Sequence, residues 1–247
     1  MKSESPLQLH AAALARIPPS FRHALEKFQH RLDRLFGSRL VSWTLFGFAA
    51  TGELPTPERR AQHVLVLDQV DLDLLRQLAP EGLVFGPIGL AAPLIMTPAY
   101  VQTSLDAFPL EFLEIHQRHL TLAGADLFAS LELREADVRL ECEREVKGIL
   151  LGMRQGLLSA GDDLVLLAQV EKNAIAALKR LLAGLAWLKG ERAYLPPHQR
   201  LTLVENATGE SLAAARASLS PRRRCEWPQY TTLYADLETL RKIVDAW

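Results

Sequence analysis

The apolar positions in the first third of the chain switch from helical to strand spacing. Residues 20–36 carry apolar side chains three or four positions apart, with Ser20 suited to begin a helix and Gly37 to end it. Residues 40–46 form an apolar run typical of a strand, and residues 63–67 form a second run typical of a buried strand. The pattern therefore predicts a helix followed by two strands, with a loop between the strands.

The next segments are shorter and more often interrupted. Residues 53–60 are polar and contain two prolines, which predicts an irregular connection. Residues 70–78 have helical spacing, whereas glycines and prolines divide residues 83–96 into interleaved strand and loop. We expect a short helix over 98–107 and a strand over 110–115.

After Gly124 the pattern is almost entirely helical. Long amphipathic segments cover 131–160 and 162–189, and shorter helices are expected near 197–206, 210–218 and 229–246. The sequence thus predicts an α+β protein with two domains. Residues 1–130 form a mixed sheet with flanking helices, and residues 131–247 form a helical bundle.

Three glycines recur every fourth residue in the first long helical segment, at Gly148, Gly152 and Gly156. Each costs a helix about 1 kcal/mol relative to alanine, so we expect a second helix to approach them closely. The partner is either the segment 162–189 or a helix of a second subunit. The short connection between the two segments favours the same chain.

Composition restricts the possible partners. The 247 residues are 49% hydrophobic and 23% charged, and the net charge of −1 provides no overall attraction to nucleic acid or an anionic membrane. The polar amino terminus and the absence of a long apolar run predict neither a secretion signal nor a membrane span. Cys142 and Cys225 lack metal-ligand spacing and are expected to be reduced thiols of a cytoplasmic protein.

The loop after the first predicted strand is the most informative motif. Residues 45–53 place Gly47 and Gly52 five positions apart, and such turns can bring backbone N–H groups close to a phosphate. The segment resembles the apolar-apolar-Gly-Ser-x-x-x-Gly motif of the DNA polymerase β-type nucleotidyltransferase superfamily. Phe48 stands where that motif has serine, and Thr51 stands where arginine is common.

The resemblance covers residues 20–245 and implies a nucleotidyltransferase-like domain followed by a helical domain, as in uncharacterised bacterial members. It implies that the nucleotide-binding loop comprises Gly47, Phe48, Thr51 and Gly52, with His63 on the following strand. The Arg-x-x-x-x-x-His pattern of the HEPN ribonucleases that accompany some of these proteins is not evident in the helices, so ribonuclease activity is not implied.

The superfamily's metal ligands are missing from the matching positions. Two aspartates at alternate positions of a strand normally hold Mg²⁺, but here Ala61 and His63 occupy those positions. Alanine offers no ligand, and imidazole suits zinc or copper better than magnesium. Phe48 either packs into the core or fills the phosphate pocket. The resemblance therefore predicts a degenerate metal site, which binds Mg²⁺ only if other carboxylates supply the ligands.

Other carboxylates offer partial substitutes. Asp71 and Asp73 form a literal Asp-x-Asp, but they precede apolar residues at helical spacing and are expected to lie in the first turn of a helix. Glu111 best matches the third carboxylate of the superfamily as a possible remnant. A working enzyme would have to draw its ligands from unexpected positions such as Glu53, Glu58, Asp68 or Glu111.

Two further groups of residues give weaker indications of a functional site. Glu114, His116 and His119 could bind a metal if their segment were helical. The basic residues 222–224 follow Pro221 and are typical of a solvated turn.

Three hypotheses follow for the function. The first is a non-catalytic protein that keeps the cleft and binds a nucleotide, a small molecule or a protein partner. The second is an active metal-dependent nucleotidyltransferase with non-standard carboxylates. The third is an oligomeric scaffold that uses the glycine face as its interface.

Overall fold

The computed structural model describes residues 7–220 and 226–247. The fold is α+β, as the sequence predicts. Contacts divide the chain into two compact units. Unit 1 comprises the residues up to Leu105 together with Glu114–Glu132, and unit 2 comprises Asp106–Leu113 together with the residues from Leu133 onward. Cys225 and the basic residues 222–224 lie outside the described residues.

Unit 1 contains a four-stranded mixed sheet with helices. Its strands within the described residues are β1 (Leu40–Phe46), β2 (Gln62–Leu67), β3 (Leu94–Met96) and β4 (His119–Gly124). Its helices are α1 (Ala11–Ala15), α2 (Pro19–Phe36), α3 (Leu72–Leu78), α4 (Glu81–Phe85) and α5 (Pro98–Thr103). Helix α6 (Pro109–Gln117) begins in residues of unit 2 and ends in residues of unit 1.

The strand order in the sheet is β3-β2-β1-β4. Strand β1 is antiparallel to both of its neighbours, and β2 is parallel to β3. Phe46 at the end of β1 lies opposite Gln62 at the start of β2, and Leu45 lies opposite His63. The loop after β1 therefore begins beside the residues that the resemblance aligns with the metal ligands.

The predicted helix over 20–36 and both predicted strands are confirmed. Helix α2 buries the apolar side chains that the helical spacing placed on one face, and this face packs on the sheet. The largest buried members of this core include Phe21, Leu25, Phe28, Trp43 and Leu65. Ser20 does not begin the helix, however, because Pro19 is its first residue and fixes a helical φ there.

The strand predicted over 110–115 is wrong, because these residues belong to helix α6. Leu110, Phe112, Leu113 and Ile115 are all buried, and a short apolar run does not by itself distinguish a strand from a buried helix. Residues 83–96 also depart from the expectation, since they contain helix α4, a 3₁₀ turn and only the three-residue strand β3. Strand β4 was not predicted.

Unit 2 is helical. Its long helices are α7 (Glu135–Ala160) and α8 (Leu164–Leu188), followed by α9 (Pro197–Thr208), α10 (Ala213–Ser218) and α11 (Trp227–Ala246). Asp163 caps α8 by accepting hydrogen bonds from the N–H groups of Val165 and Leu166. Helices α7 and α8 run antiparallel, because Glu145 pairs with Arg180 near one end and Gly156 contacts Val170 near the other. No helix of the described ranges is long and apolar enough to cross a membrane.

The glycines of α7 are not equivalent. A Cβ at Gly156 would overlap Val170 of α8, so a helix of the same chain approaches this glycine closely. A Cβ at Gly148 or Gly152 would meet nothing within 4 Å. All three glycines line a groove of about 450 Å³ formed by α7 and α8, but only Gly156 is in close contact with the facing helix. The expected close approach therefore occurs at one glycine of the three.

Alanine substitutions will separate these roles. Gly148→Ala will raise the free energy of unfolding by about 1 kcal/mol, because alanine is the better helix former and fills open space. Gly156→Ala will lower it by about 1 kcal/mol, because overlap with Val170 outweighs the same gain in helix propensity. Urea denaturation of both variants measures the difference. Equal shifts of the same sign would contradict the unequal packing.

Candidate functional site

The loop after β1 forms a tight 3₁₀ turn over Gly47–Thr51. Gly47 has φ = 70°, a left-handed conformation that glycine adopts without a steric penalty. Its N–H donates to the carbonyl oxygen of Arg118 at 2.9 Å, which ties the turn to the residue before β4. This N–H is therefore already used within the protein.

Phe48 is part of the hydrophobic core of unit 1. Its side chain is buried in the core of unit 1, and the guanidinium of Arg59 lies 3.8 Å from the centre of its ring. Arg59 also donates to Glu53 Oε2 at 2.7 Å. Of the two roles considered for Phe48, packing in the core is the one that the structure shows.

The second half of the loop is also held by internal contacts. The hydroxyl of Thr51 donates to the carbonyl oxygen of Phe48 at 2.7 Å. Gly52 has φ = 88°, and a Cβ there would lie only 2.7 Å from the carbonyl oxygen of Arg16. Arg16 in turn donates to the carbonyl oxygen of Ala50 at 3.2 Å. The glycine at position 52 thus permits the chain before α2 to close over the loop.

Three polar side-chain ends meet beside Gly47. A Cβ at this position would lie 3.7 Å from Gln62 Oε1 and 3.9 Å from both Arg118 Nη2 and Glu114 Oε1. No local pattern in the sequence predicts this cluster of an amide, a guanidinium and a carboxylate. The residues come from three separate elements, and only the sheet register and the end of α6 bring them together.

The positions aligned with the metal-binding aspartates face the protein core. Ala61 is fully buried and His63 is 1% exposed, and the ring of His63 lies 5.6 Å from that of Phe28 in α2. The indole N–H of Trp43 donates to His63 Nδ1 at 3.1 Å, so the ring proton is on Nε2. Nε2 then donates to the carbonyl oxygen of Ala91 at 2.8 Å.

The His63 side chain cannot serve as a metal ligand in this arrangement. Both ring nitrogens are already hydrogen bonded, and burial lowers the pKa of His63 to about 4, while its hydrogen bond to Ala91 acts weakly in the opposite direction. The ring is therefore neutral at physiological pH. Ala61 supplies no donor atom, so the residues at these two positions do not fit Mg²⁺.

The buried imidazole makes stability depend on pH. The unfolded chain binds a proton at His63 near the ordinary pKa of 6.5, whereas the folded chain does so only near 4. The stability that the neutral ring provides is present above pH 6.5 and is lost as the pH falls toward 4, by up to about 3 kcal/mol. Urea denaturation between pH 7.5 and 4.5 will show a steeper loss for the wild type than for His63→Gln. Parallel profiles would contradict this.

The literal Asp-x-Asp has the structural role expected for it. Asp71 caps α3 by accepting hydrogen bonds from the N–H groups of Asp73 and Leu74 at 3.0 and 3.2 Å. It also pairs with Arg39 at 3.2 Å. The hydrogen bond from Leu74 has the largest effect and lowers the pKa of Asp71. Burial opposes it, and the contacts with Arg39 and the N–H of Asp73 lower the pKa further.

The remaining candidate carboxylates belong to different elements or loops of the chain. Glu111 is an exposed residue of helix α6, not of a strand, and belongs to unit 2. Glu53 pairs with Arg59, and Glu58 lies in the same exposed connection. Asp68 follows β2 and accepts a hydrogen bond from the N–H of Gln69.

The histidines near β4 have partners other than a metal. His116 Nδ1 lies 2.8 Å from the carbonyl oxygen of Phe128, and His119 Nε2 lies 3.0 Å from Asp126 Oδ1. Asp126 also accepts hydrogen bonds from the N–H groups of Phe128 and Ala129. Burial tends to raise the pKa of Asp126, but these hydrogen bonds and His119 lower it overall. Within residues 7–220 and 226–247, no three His, Cys, Asp or Glu side chains are grouped to hold a metal ion.

Comparisons with known proteins add no family assignment. No protein-family model matches the sequence, and no curated protein matches it significantly.

Proposed function

We propose that unit 1 is a nucleotidyltransferase-like domain that binds a nucleotide or a related small molecule without metal-dependent transfer. The observation that carries this proposal is the state of positions 61 and 63. A buried methyl group and a neutral imidazole with both nitrogens hydrogen bonded stand where an enzyme of this kind needs two carboxylates. Without anionic oxygens at these positions, a magnesium–triphosphate complex lacks its protein ligands.

The polar cluster beside Gly47 supports a binding role. Gln62, Glu114 and Arg118 offer hydrogen-bond donors and acceptors around a backbone position that has no side chain. A guanidinium can pair with a phosphate, and an amide or carboxylate can pair with the edge of a base. We therefore assign the ligand to this cluster of side chains.

Calorimetry with ATP, GTP and CTP, each with and without Mg²⁺, tests the proposal. We expect binding of at least one nucleotide with an affinity that does not depend on Mg²⁺, and no transfer of radiolabelled monophosphate to any acceptor. A metal-dependent signal or labelled product would instead favour an active enzyme. The absence of binding, together with self-association in light scattering, would favour a scaffold.

A pair of substitutions locates the site. Arg118→Gln will weaken nucleotide binding about tenfold, because a charge-assisted hydrogen bond to phosphate is lost. Arg76→Gln removes an exposed guanidinium from α3 and serves as the control, with no expected change in affinity. Equal affinities for the two variants would contradict the assignment of the ligand to the cluster beside Gly47.

A further inference from the structure

Unit 2 contains an aromatic cavity that the proposed function does not use. It has a volume of about 180 Å³ and is formed by α7 and α11. Its apolar lining comes from Met153, Leu157, Trp227, Tyr230 and Tyr234, and Arg154 also borders it. A cavity of about 150 Å³ with an apolar lining is large enough to bind benzene. The aromatic cavity therefore has room for one six-membered ring.

The aromatic side chains of this cavity are held in place without a ligand. Trp227 is the first residue of α11, whose start is fixed by a capping box between Glu226 and Gln229. Its indole lies nearly parallel to the ring of Tyr230, with 12° between the planes and 6.0 Å between the centres. The hydroxyl of Tyr230 donates to the carbonyl oxygen of Met153 at 2.6 Å and so ties α11 to α7. Preformed apolar cavities with a few oriented polar groups are typical of small-molecule sites.

Trp227 is 53% exposed although it borders this cavity. The burial of a large aromatic side chain is favourable, and contact between two rings adds to the gain. A ligand ring in the aromatic cavity would cover part of the indole that the protein itself leaves in contact with solvent.

The guanidinium of Arg154 is oriented by two neighbouring side chains. Its Nε donates to the hydroxyl of Tyr234 at 2.6 Å, and its Nη2 donates to Glu238 Oε1 at 2.8 Å. Its Nη1 makes no hydrogen bond within residues 7–220 and 226–247. The side chain is 52% exposed, so a ligand can reach this nitrogen from solvent.

The polar groups beside the cavity favour an anionic ligand over a cationic one. Glu238 Oε1 already accepts hydrogen bonds from Arg154 and Tyr234. The other oxygen of Glu238 accepts a hydrogen bond from Arg241 at 2.9 Å. The unused capacity is therefore that of a donor, the Nη1 edge of Arg154, and a carboxylate can accept two parallel hydrogen bonds from such an edge.

We propose that the aromatic cavity binds a small aromatic monocarboxylate, with its ring against Trp227 and its carboxylate on the free edge of Arg154. The guanidinium repels an aromatic amine and gives an aromatic alcohol no ionic partner. This site belongs to unit 2, whereas Gly47 and the residues around it belong to unit 1. The proposal therefore does not depend on the proposed nucleotide binding.

Titration of the full chain with three matched probes tests the charge requirement. 3-Phenylpropionate, 3-phenylpropanol and 3-phenylpropylamine share a ring and a carbon chain and differ in the charge of the end group. At pH 7 we expect the acid to bind about fivefold more tightly than the alcohol, and the amine to bind most weakly. The ratio is modest because the guanidinium is half exposed.

The indole N–H resonance of Trp227 provides the local signal for these titrations, because this side chain borders the cavity. We expect the acid to shift this resonance. An acid that binds no more tightly than the alcohol or the amine, or that leaves this resonance unchanged, would overturn the proposal.

Three substitutions then test the assigned residues. Arg154→Gln will weaken 3-phenylpropionate binding about fivefold and leave 3-phenylpropanol unchanged. Arg144→Gln removes the same charge from an exposed position of α7 outside the cavity lining, and we expect it to change neither affinity. Trp227→Ala will weaken both probes by a similar factor, because both lose the same ring contact.

Unchanged affinity of Arg154→Gln for the acid would overturn the assignment of the carboxylate. Unchanged affinity of Trp227→Ala for both probes would overturn the position of the ring. The comparison of probes on the wild type decides the charge requirement even if a variant does not fold.

Discussion

Replacement of His63 by aspartate, the residue that the resembled motif has at this position, will lower the free energy of unfolding by about 3 to 5 kcal/mol at pH 7. The side chain at this position is 1% exposed and faces Phe28 and Trp43. A carboxyl group there would have no cation among the described contacts, so it would either bury its charge in an apolar environment or take up a proton at pH 7, and both cost stability. Its shorter side chain would also leave the carbonyl oxygen of Ala91 without the donor that His63 provides.

The adjacent residue provides the control for this substitution. Gln62 is exposed and lies on the opposite face of β2, because successive strand residues point in opposite directions. Gln62→Asp will change the free energy of unfolding by no more than about 0.5 kcal/mol. Urea denaturation of both variants measures the difference. A His63→Asp variant that is as stable as Gln62→Asp would show that position 63 can accept a carboxylate, and would remove the main support for a non-catalytic domain.

Substitution of Gly124 by alanine is expected to lower the free energy of unfolding by about 3 kcal/mol, from backbone strain and overlap combined. Gly124 ends β4 with φ = 77°, which alanine rarely adopts. A Cβ there would overlap the carbonyl oxygen of Val41 and lie 3.0 Å from the Cα of Ser42. These are backbone atoms of the neighbouring strand, so they cannot move without disturbing the pairing of β1 with β4.

Gly209 separates the two causes of this loss. It also has a positive φ, 74°, and lies in the left-handed region, but a Cβ there would meet nothing within 4 Å. Gly209→Ala will therefore lower the free energy of unfolding by only about 1 kcal/mol, the cost of the left-handed conformation alone. Thermal or urea denaturation of both variants provides the measurement. Equal losses would mean that the close approach of β1 to Gly124 contributes nothing.

Much of the secondary structure was predictable because it depends on local periodicity. The buried face of α2, the apolar runs of β1 and β2, and the long helices α7 and α8 each follow from the spacing of apolar residues within one segment. The position of Asp71 and Asp73 at the start of a helix was predictable for the same reason, although Asp71 caps α3 and only Asp73 lies in its first turn. The same reasoning wrongly predicted a strand for residues 110–115, because an apolar run of that length is typical of either a strand or a buried helix.

The candidate sites depended on contacts between distant segments. The sequence indicated that Ala61 and His63 replace the expected carboxylates, but not that Trp43 and Ala91 occupy both nitrogens of the imidazole. It also gave no sign that Glu114 and Arg118 approach Gly47, or that Arg154 borders the aromatic cavity. Residues so far apart in the sequence share no periodic pattern, so their contacts cannot be predicted from it.

The sequence by itself thus determined the order of most helices and strands, and it placed alanine and histidine at positions 61 and 63. The tertiary structure decided which polar groups are buried and which are hydrogen bonded within the protein. The physical reason is that periodicity reports how each segment divides between core and solvent. Hydrogen bonding and charge pairing depend instead on distances that only the packing of the sheet and its helices defines.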